Sequence, residues 1–286
     1  MKFAISYSTP FNGTDPDRLV AFAQHAERCG FEGLYVQDHF VLYPGASYGA
    51  AELPPTLPYF DPLDCLSFVA AATQRLLLGT GVLLLPYRHP VVLAKRLATI
   101  DVLSKGRMRL LTVGLGALPG EAKAMGVDFR SRGRRADEAI DVLRLLWAGG
   151  EDGVGYHGEF FDFDNLCSYP KPLGVSELPI HVGGSSRAAA RRVGLRGDGY
   201  FAGGMLDEAE RDRQIALARK TAADAGRDPA ALEYTRWGSA GLSVDQVEQL
   251  ANHGVTRIVV NLTATTADEQ HDQMSEFAER FVARTD

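Results

Sequence analysis

Short apolar or β-branched runs alternate with segments of helical period from one end of this chain to the other, and the alternation completes eight times. The runs begin with Lys2 to Ser6, Gly33 to Val36, Leu76 to Leu83 and Met108 to Val113. They continue with Pro179 to Val182, Gly199 to Ala202, Leu232 to Gly238 and Arg257 to Leu262. Between the first two, Asp15-Pro16 supplies a helix cap and a first-turn proline, and Leu19, Phe22, Ala23 and Ala26 fall at i, i+3, i+4 and i+7. Asp61-Pro62 and Pro90 open later helices in the same way, and Ser243 with Gln246 has the spacing of a capping box. Eight β/α units in 286 residues predict a closed (β/α)₈ TIM barrel rather than an open doubly wound sheet. The expectation is therefore an α/β fold in one domain over residues 1–286. Two stretches break the rhythm: a proline-rich loop at 41–60 after the second strand, and residues 150–178, which read as an insertion after helix four. Loops of that length in a compact domain are expected to be lids or binding elements.

Composition removes several function classes. With 45% hydrophobic and 23% charged residues the chain can build a large core, and disordered or fibrous classes drop out. A net charge of -6 with no basic stripe argues against a nucleic-acid partner. No run of about 18 apolar residues suggests a membrane span, and MKFAISYSTP lacks the features of a signal peptide, so a cytoplasmic location is expected. Cys29, Cys65 and Cys167 are too scattered for a disulfide framework or zinc knuckle and read as reduced, structural residues.

In a barrel of this kind the chemistry sits at the C-terminal strand ends, which gives meaning to YVQDHF: strand two ends in Asp38 and His39, predicted to point into the mouth. Strand-end capping accounts for such a pair about as well as catalysis does. Other strand ends are glycine-rich, namely Gly79-Thr80-Gly81, Gly114-Leu115-Gly116, Gly183-Gly184-Ser185-Ser186 and Gly203-Gly204, and together they predict room for a flat ligand over the mouth. Gly183 to Ser186 leads directly into a helix at Arg187, where backbone N–H groups and two hydroxyls offer a phosphate site, although a plain serine cap explains the same residues. No lysine lies at a strand end to form a Schiff base, and no histidine cluster has metal-site spacing. Arg88-His89-Pro90 reads equally as the start of a helix or as part of the mouth.

The stretches AERCGFEGLYVQDHF, LLLGTGVLLLPYRHPVVLAKRLATIDVLSKGRMRLLTVGLG, GEAKAMGVDFRSRGRRADEAIDVLRLLW and LPIHVGGSSRAAARRVGLRGDGY, in this order, resemble the bacterial luciferase-like oxidoreductases, in particular the branch that uses the deazaflavin coenzyme F420. The resemblance runs along most of the chain. It implies a TIM barrel with an insertion and an isoalloxazine-type ring held at the mouth. By position it places Asp38 and His39 beside the ring, with His39 exchanging a proton or hydrogen-bonding the ring system. Gly81-Val82 match the family's non-proline cis peptide behind the ring, Gly114 matches the fourth strand end, and Gly183, Gly184, Ser185 and Ser186 match the phosphate loop. Where sugar-phosphate dehydrogenases of this branch have a glutamate, this chain has Ala117, and the nearest acid is Glu121; that substrate is not carried over. FMN-dependent relatives share the scaffold, so FMN stands as the alternative to coenzyme F420.

The reading is hydride transfer to or from a small organic substrate, with loops 41–60 and 150–178 closing the site and Tyr43, Tyr48, Tyr59, Phe60 and Phe161 suggesting an apolar or aromatic guest. An FMN-dependent monooxygenase, a flavin-type binding protein without catalysis and a sugar-phosphate lyase or isomerase are the competing readings. Dimers are common in the family, which makes a homodimer the expected assembly.

Overall fold

The structure, a computed structural model, describes residues 1–203 and 206–282. Eight parallel strands close into a ring: β1 (Lys2–Tyr7), β2 (Gly33–Val36), β3 (Leu77–Thr80), β4 (Met108–Gly114), β5 (Ile180–Gly184), β6 (Gly199–Ala202), β7 (Glu233–Ser239) and β8 (Arg257–Asn261). Neighbours in the ring are neighbours in sequence, and β1 pairs with β8, Phe3 opposite Ile258, to complete it. The helices that follow the strands around the barrel are α1 (Pro16–Arg28), α2 (Pro62–Ala72), α3 (Pro90–Leu103), α4 (Arg132–Ala148), α5 (Arg187–Arg196), α6 (Glu208–Asp224), α7 (Val244–Asn252) and α8 (Ala267–Phe281), with short extra turns at Thr9–Asn12 and Pro119–Ala124. This is the TIM barrel expected from the eightfold alternation. Among the described residues no helix is long and apolar enough to cross a membrane.

Strand alternation sorts the core into two shells. Phe3, Ile5 and Tyr7 of β1 face the helical layer, where Phe3 meets Phe277 edge-on with ring centroids 5.3 Å apart, while Ala4 faces the lumen with Tyr35, Leu110, Phe201 and Val259. The helix signals act as read: Asp15 caps α1, whose Leu19, Phe22, Ala23 and Ala26 are all buried, and Ser243 and Gln246 form both bonds of the capping box on α7. Cys65 is buried as expected, but Cys167 is exposed and packs no core.

The N-terminal end of the barrel is closed by charge. Arg257, 1% exposed, makes two hydrogen bonds to Glu32, at 2.6 and 3.0 Å, and one to Glu233 at 2.7 Å; Lys2 donates to Glu233 at 3.0 Å. A buried guanidinium persists only when its fork donors are matched in this way.

The two irregular stretches lie in different places. Residues 41–60 follow β2 and so belong to the mouth; they form a small antiparallel pair, Ser47–Tyr48 with Ala51–Glu52. Residues 150–178 do not close the mouth as expected. Their antiparallel strands, Val154–His157 and Asp162–Leu166, turn at Glu159 and Phe160, whose N–H groups donate to Glu138 of α4. Phe161 is buried against His89 and Arg135, and further on the Leu173 N–H donates to Asp101 at the far end of α3. This segment packs on the outer wall, and Phe161 is buried within that contact.

Candidate active site at the barrel mouth

Asp38 and His39 are adjacent in sequence and have opposite fates. Asp38 is buried, contrary to the expectation that it faces the mouth. Its carboxylate accepts the Leu84 N–H at 2.8 Å and the Arg88 guanidinium at 3.0 and 3.1 Å, and Arg88 also reaches Asp61, the cap of α2, at 3.0 Å. Burial pushes the Asp38 carboxyl above its ordinary value against the pull of the Arg88 charge and the Leu84 N–H. Asp38 is thus a structural tie between β2 and the segment after β3, and Arg88 is its partner beneath the mouth.

His39 remains at the mouth, 21% exposed. Its Nδ1 lies 3.1 Å from Oε2 of Glu121, while Oε1 of the same carboxylate accepts the Phe40 N–H at 2.7 Å. Glu121 is fully buried and sits on the short helix Pro119–Ala124 after β4. A carboxylate held in this way takes Nδ1–H of the imidazole and leaves Nε2 as a proton acceptor; Nε2 has no partner among the described residues. Tyr59, from the 41–60 loop, packs on the His39 ring with centroids 4.8 Å apart, and burial together with the nearby Glu121 charge raises its phenol above the ordinary value. Tyr43 of the same loop accepts the Gly120 N–H, which ties the loop to the Glu121 segment.

The glycines at the strand ends serve a use other than open space. The Gly81-Val82 peptide is cis, and the Val82 side chain turns toward β4 and β5. A Cβ on Gly114 would lie 2.4 Å from Val82 Cγ2, and one on Gly183 would lie 2.6 Å from Val82 Cγ1. Gly114 and Gly183 are therefore sockets for Val82, not vacancies for a ligand. Gly81 itself sits under Trp237, whose ring a Cβ there would meet at 3.2 Å.

After β5, Gly184 takes a φ of +133° and Ser186 caps α5 by accepting the Ala189 N–H at 3.1 Å. The N–H groups of Arg187 and Ala188 have no acceptor among the described residues, and Gly184, Ser185 and Arg187 are exposed around them. Gly203 donates to the Gly184 carbonyl at 2.9 Å; Gly204, read with it from sequence, lies outside the described residues. Among the described residues no group of His, Cys, Asp and Glu could hold a metal ion.

A family model described as luciferase-like monooxygenase matches residues 1–284. Over 219 residues the chain is 33% identical to the F420-dependent hydroxymycolic acid dehydrogenase of Mycobacterium tuberculosis, covering 76% of this chain and 56% of that one. Over 215 residues it is 35% identical to the FMNH2-dependent dimethylsulfone monooxygenase of Pseudomonas fluorescens, covering 74% and 54%. Among solved structures, an F420-dependent secondary alcohol dehydrogenase in complex with an F420-acetone adduct superposes with a TM-score of 0.80 at 19% identity, with both chains fully covered. That last likeness concerns the fold.

Proposed function

The chain belongs to the luciferase-like monooxygenase family, whose members named above are oxidoreductases that use F420 or FMN, and on that premise we propose that it is an F420-dependent oxidoreductase acting on an alcohol or carbonyl substrate bound beside His39. The observation that carries this reading is the His39–Glu121 pair, which presents an imidazole Nε2 as a base at the mouth. When bound, the deazaflavin ring accepts or returns a hydride.

The residues present fit a ring with a phosphate-bearing side chain. The unclaimed N–H groups of Arg187 and Ala188, the positive end of α5 and the exposed Arg187 side chain would hold the phosphate, with Ser185 beside them. Val82, wedged into Gly114 and Gly183, would form the firm surface behind the ring.

The protein's share of the chemistry is proton handling and positioning. His39 Nε2 takes the hydroxyl proton as the carbon gives up its hydride, and the fixed Glu121 carboxylate stabilises the imidazolium that results. Glu121 does not itself meet the substrate, because both of its oxygens are engaged and it is fully buried. Tyr59 packs its ring on the imidazole and helps to hold its orientation.

FMN-dependent oxygenation is the second reading, favoured by the likeness to the dimethylsulfone monooxygenase. Titrating the purified protein with coenzyme F420 and separately with FMN, followed by fluorescence and absorbance, decides between them. Tight binding of F420 with anaerobic reduction by a secondary alcohol is the expected result. Binding of FMN alone transfers the proposal to oxygenation, and binding of neither overturns it.

A further inference from the structure

A cavity of about 290 Å³ opens in the outer wall of the barrel, between α6 and α7 and over the outer faces of β6 and β7. It lies outside the strands, and Trp237, whose ring also packs over Gly81, is among the residues that line it. Much of its lining is apolar, with Ile215 from α6, Leu250 from α7 and Leu242 from the turn before α7.

Two guanidiniums interrupt this lining. Arg236 projects outward from β7, between the lumen-facing Thr235 and Trp237. It has no ion pair and no side-chain hydrogen bond among the described residues, and its Nε is buried without an acceptor. Arg211 gives one N–H to the Leu206 carbonyl at 2.9 Å, and its Nε is likewise buried without an acceptor. Of the acids that share the cavity, Glu208 and Asp212 lie 2.6 and 3.4 Å from the two ring nitrogens of His253.

Buried N–H donors of a charged group are rarely left unmet in a native structure, because desolvation without a partner is unfavourable. Arginine forks match the planar oxygens of a carboxylate. The neighbouring Glu208 and Asp212 disfavour a dianion such as a phosphate monoester, while a single negative charge with an apolar body suits both parts of the lining. We propose that this cavity is a second ligand site for a small organic carboxylate, whose oxygens meet Arg211 and Arg236 and whose hydrocarbon body lies along Ile215, Leu242 and Leu250.

This inference is independent of the cofactor assignment. Its test is calorimetric titration of the full chain with octanoate, 1-octanol and octylamine, repeated with the mouth saturated by whichever of F420 or FMN binds. Octanoate is expected to bind at one equivalent, at least about tenfold more tightly than 1-octanol and without competition from the cofactor. Arg236→Gln is expected to weaken octanoate by about tenfold and leave 1-octanol unchanged, and Arg236→Lys to restore part of the loss. Arg211→Gln serves as the second variant if Arg236→Gln does not fold. Equal binding of octanoate and 1-octanol, no binding of octanoate, displacement by the cofactor, or no response in either arginine variant would overturn the proposal.

Discussion

The Nδ1 of His39 and the Oε2 of Glu121 lie 3.1 Å apart although 82 residues separate them in the chain. One follows the second strand directly, and the other belongs to a short helix after the fourth strand. Glu121→Gln keeps an oxygen for the Phe40 N–H but presents an amide N–H to Nδ1, which moves the imidazole proton to Nε2 and removes the base. Turnover is expected to fall about 10²-fold or more, with cofactor affinity little changed. Single-turnover kinetics beside a cofactor titration separates the two effects, and an unchanged rate would refute the tautomer argument.

Glu121 carries no signature of its role in the sequence. The eight strands are legible because each is a short apolar run with a punctuated helix behind it, and the serine cap of α5 is legible as Gly-Gly-Ser-Ser before a helix. Nothing local in PGEAKA distinguishes a buried carboxylate from a solvated one; only the closed ring brings that helix onto His39. Asp38 is the reverse case: its strand-end position predicts a carboxylate that faces the mouth, and the fold buries it. Its partner Arg88 was visible in sequence, but a pairing across 50 residues has no local signature.

For the Asp38–Arg88 pair the expectation concerns stability. Arg88→Met leaves the buried carboxylate with only the Leu84 N–H, and breaking a buried pair from one side costs about 3–5 kcal/mol. Adding Asp38→Asn should recover more than half of that loss. Urea unfolding of the two single variants and the double variant measures the coupling, and additive losses would show that the two side chains do not depend on each other.

Packing around Val82 gives a third expectation. Gly114→Ala places a methyl 2.4 Å from Val82 Cγ2 and should destabilise the protein by about 1–3 kcal/mol while lowering cofactor affinity. Val82→Ala in the same chain should relieve much of the stability loss. Thermal unfolding of Gly114→Ala with and without the second change checks this, and if Gly114→Ala alone were neutral Val82 would not be the wedge described.

His181 makes stability depend on pH. It is fully buried on β5, and burial, aided by the Arg257 charge, lowers its pKa from 6.5 to about 4. Between these values the unfolded chain binds a proton that the folded one refuses, so stability is complete above about pH 6.5 and falls as the pH drops. About 2 kcal/mol should be lost between about pH 7 and about pH 5. Glu233 adds to the slope at lower pH: burial pushes it up, but the hydrogen bonds and charge of Arg257 outweigh that and bring it to about 2, so its contribution disappears as the carboxylate is protonated. His181→Gln should flatten the upper part of the curve, measured as unfolding midpoints across this range. An unaltered slope would assign it to other groups.

The charged closure at the base of the barrel bears on how the chain reaches this form. Arg257 belongs to the last strand, and its partner Glu32 stands 225 residues earlier. A chain still lacking its eighth strand holds Glu32 and Glu233 with only the half-exposed Lys2 between them. Seven-eighths of this barrel is therefore not seven-eighths of a protein: its base stays unsealed until the final strand docks and brings its arginine to both acids.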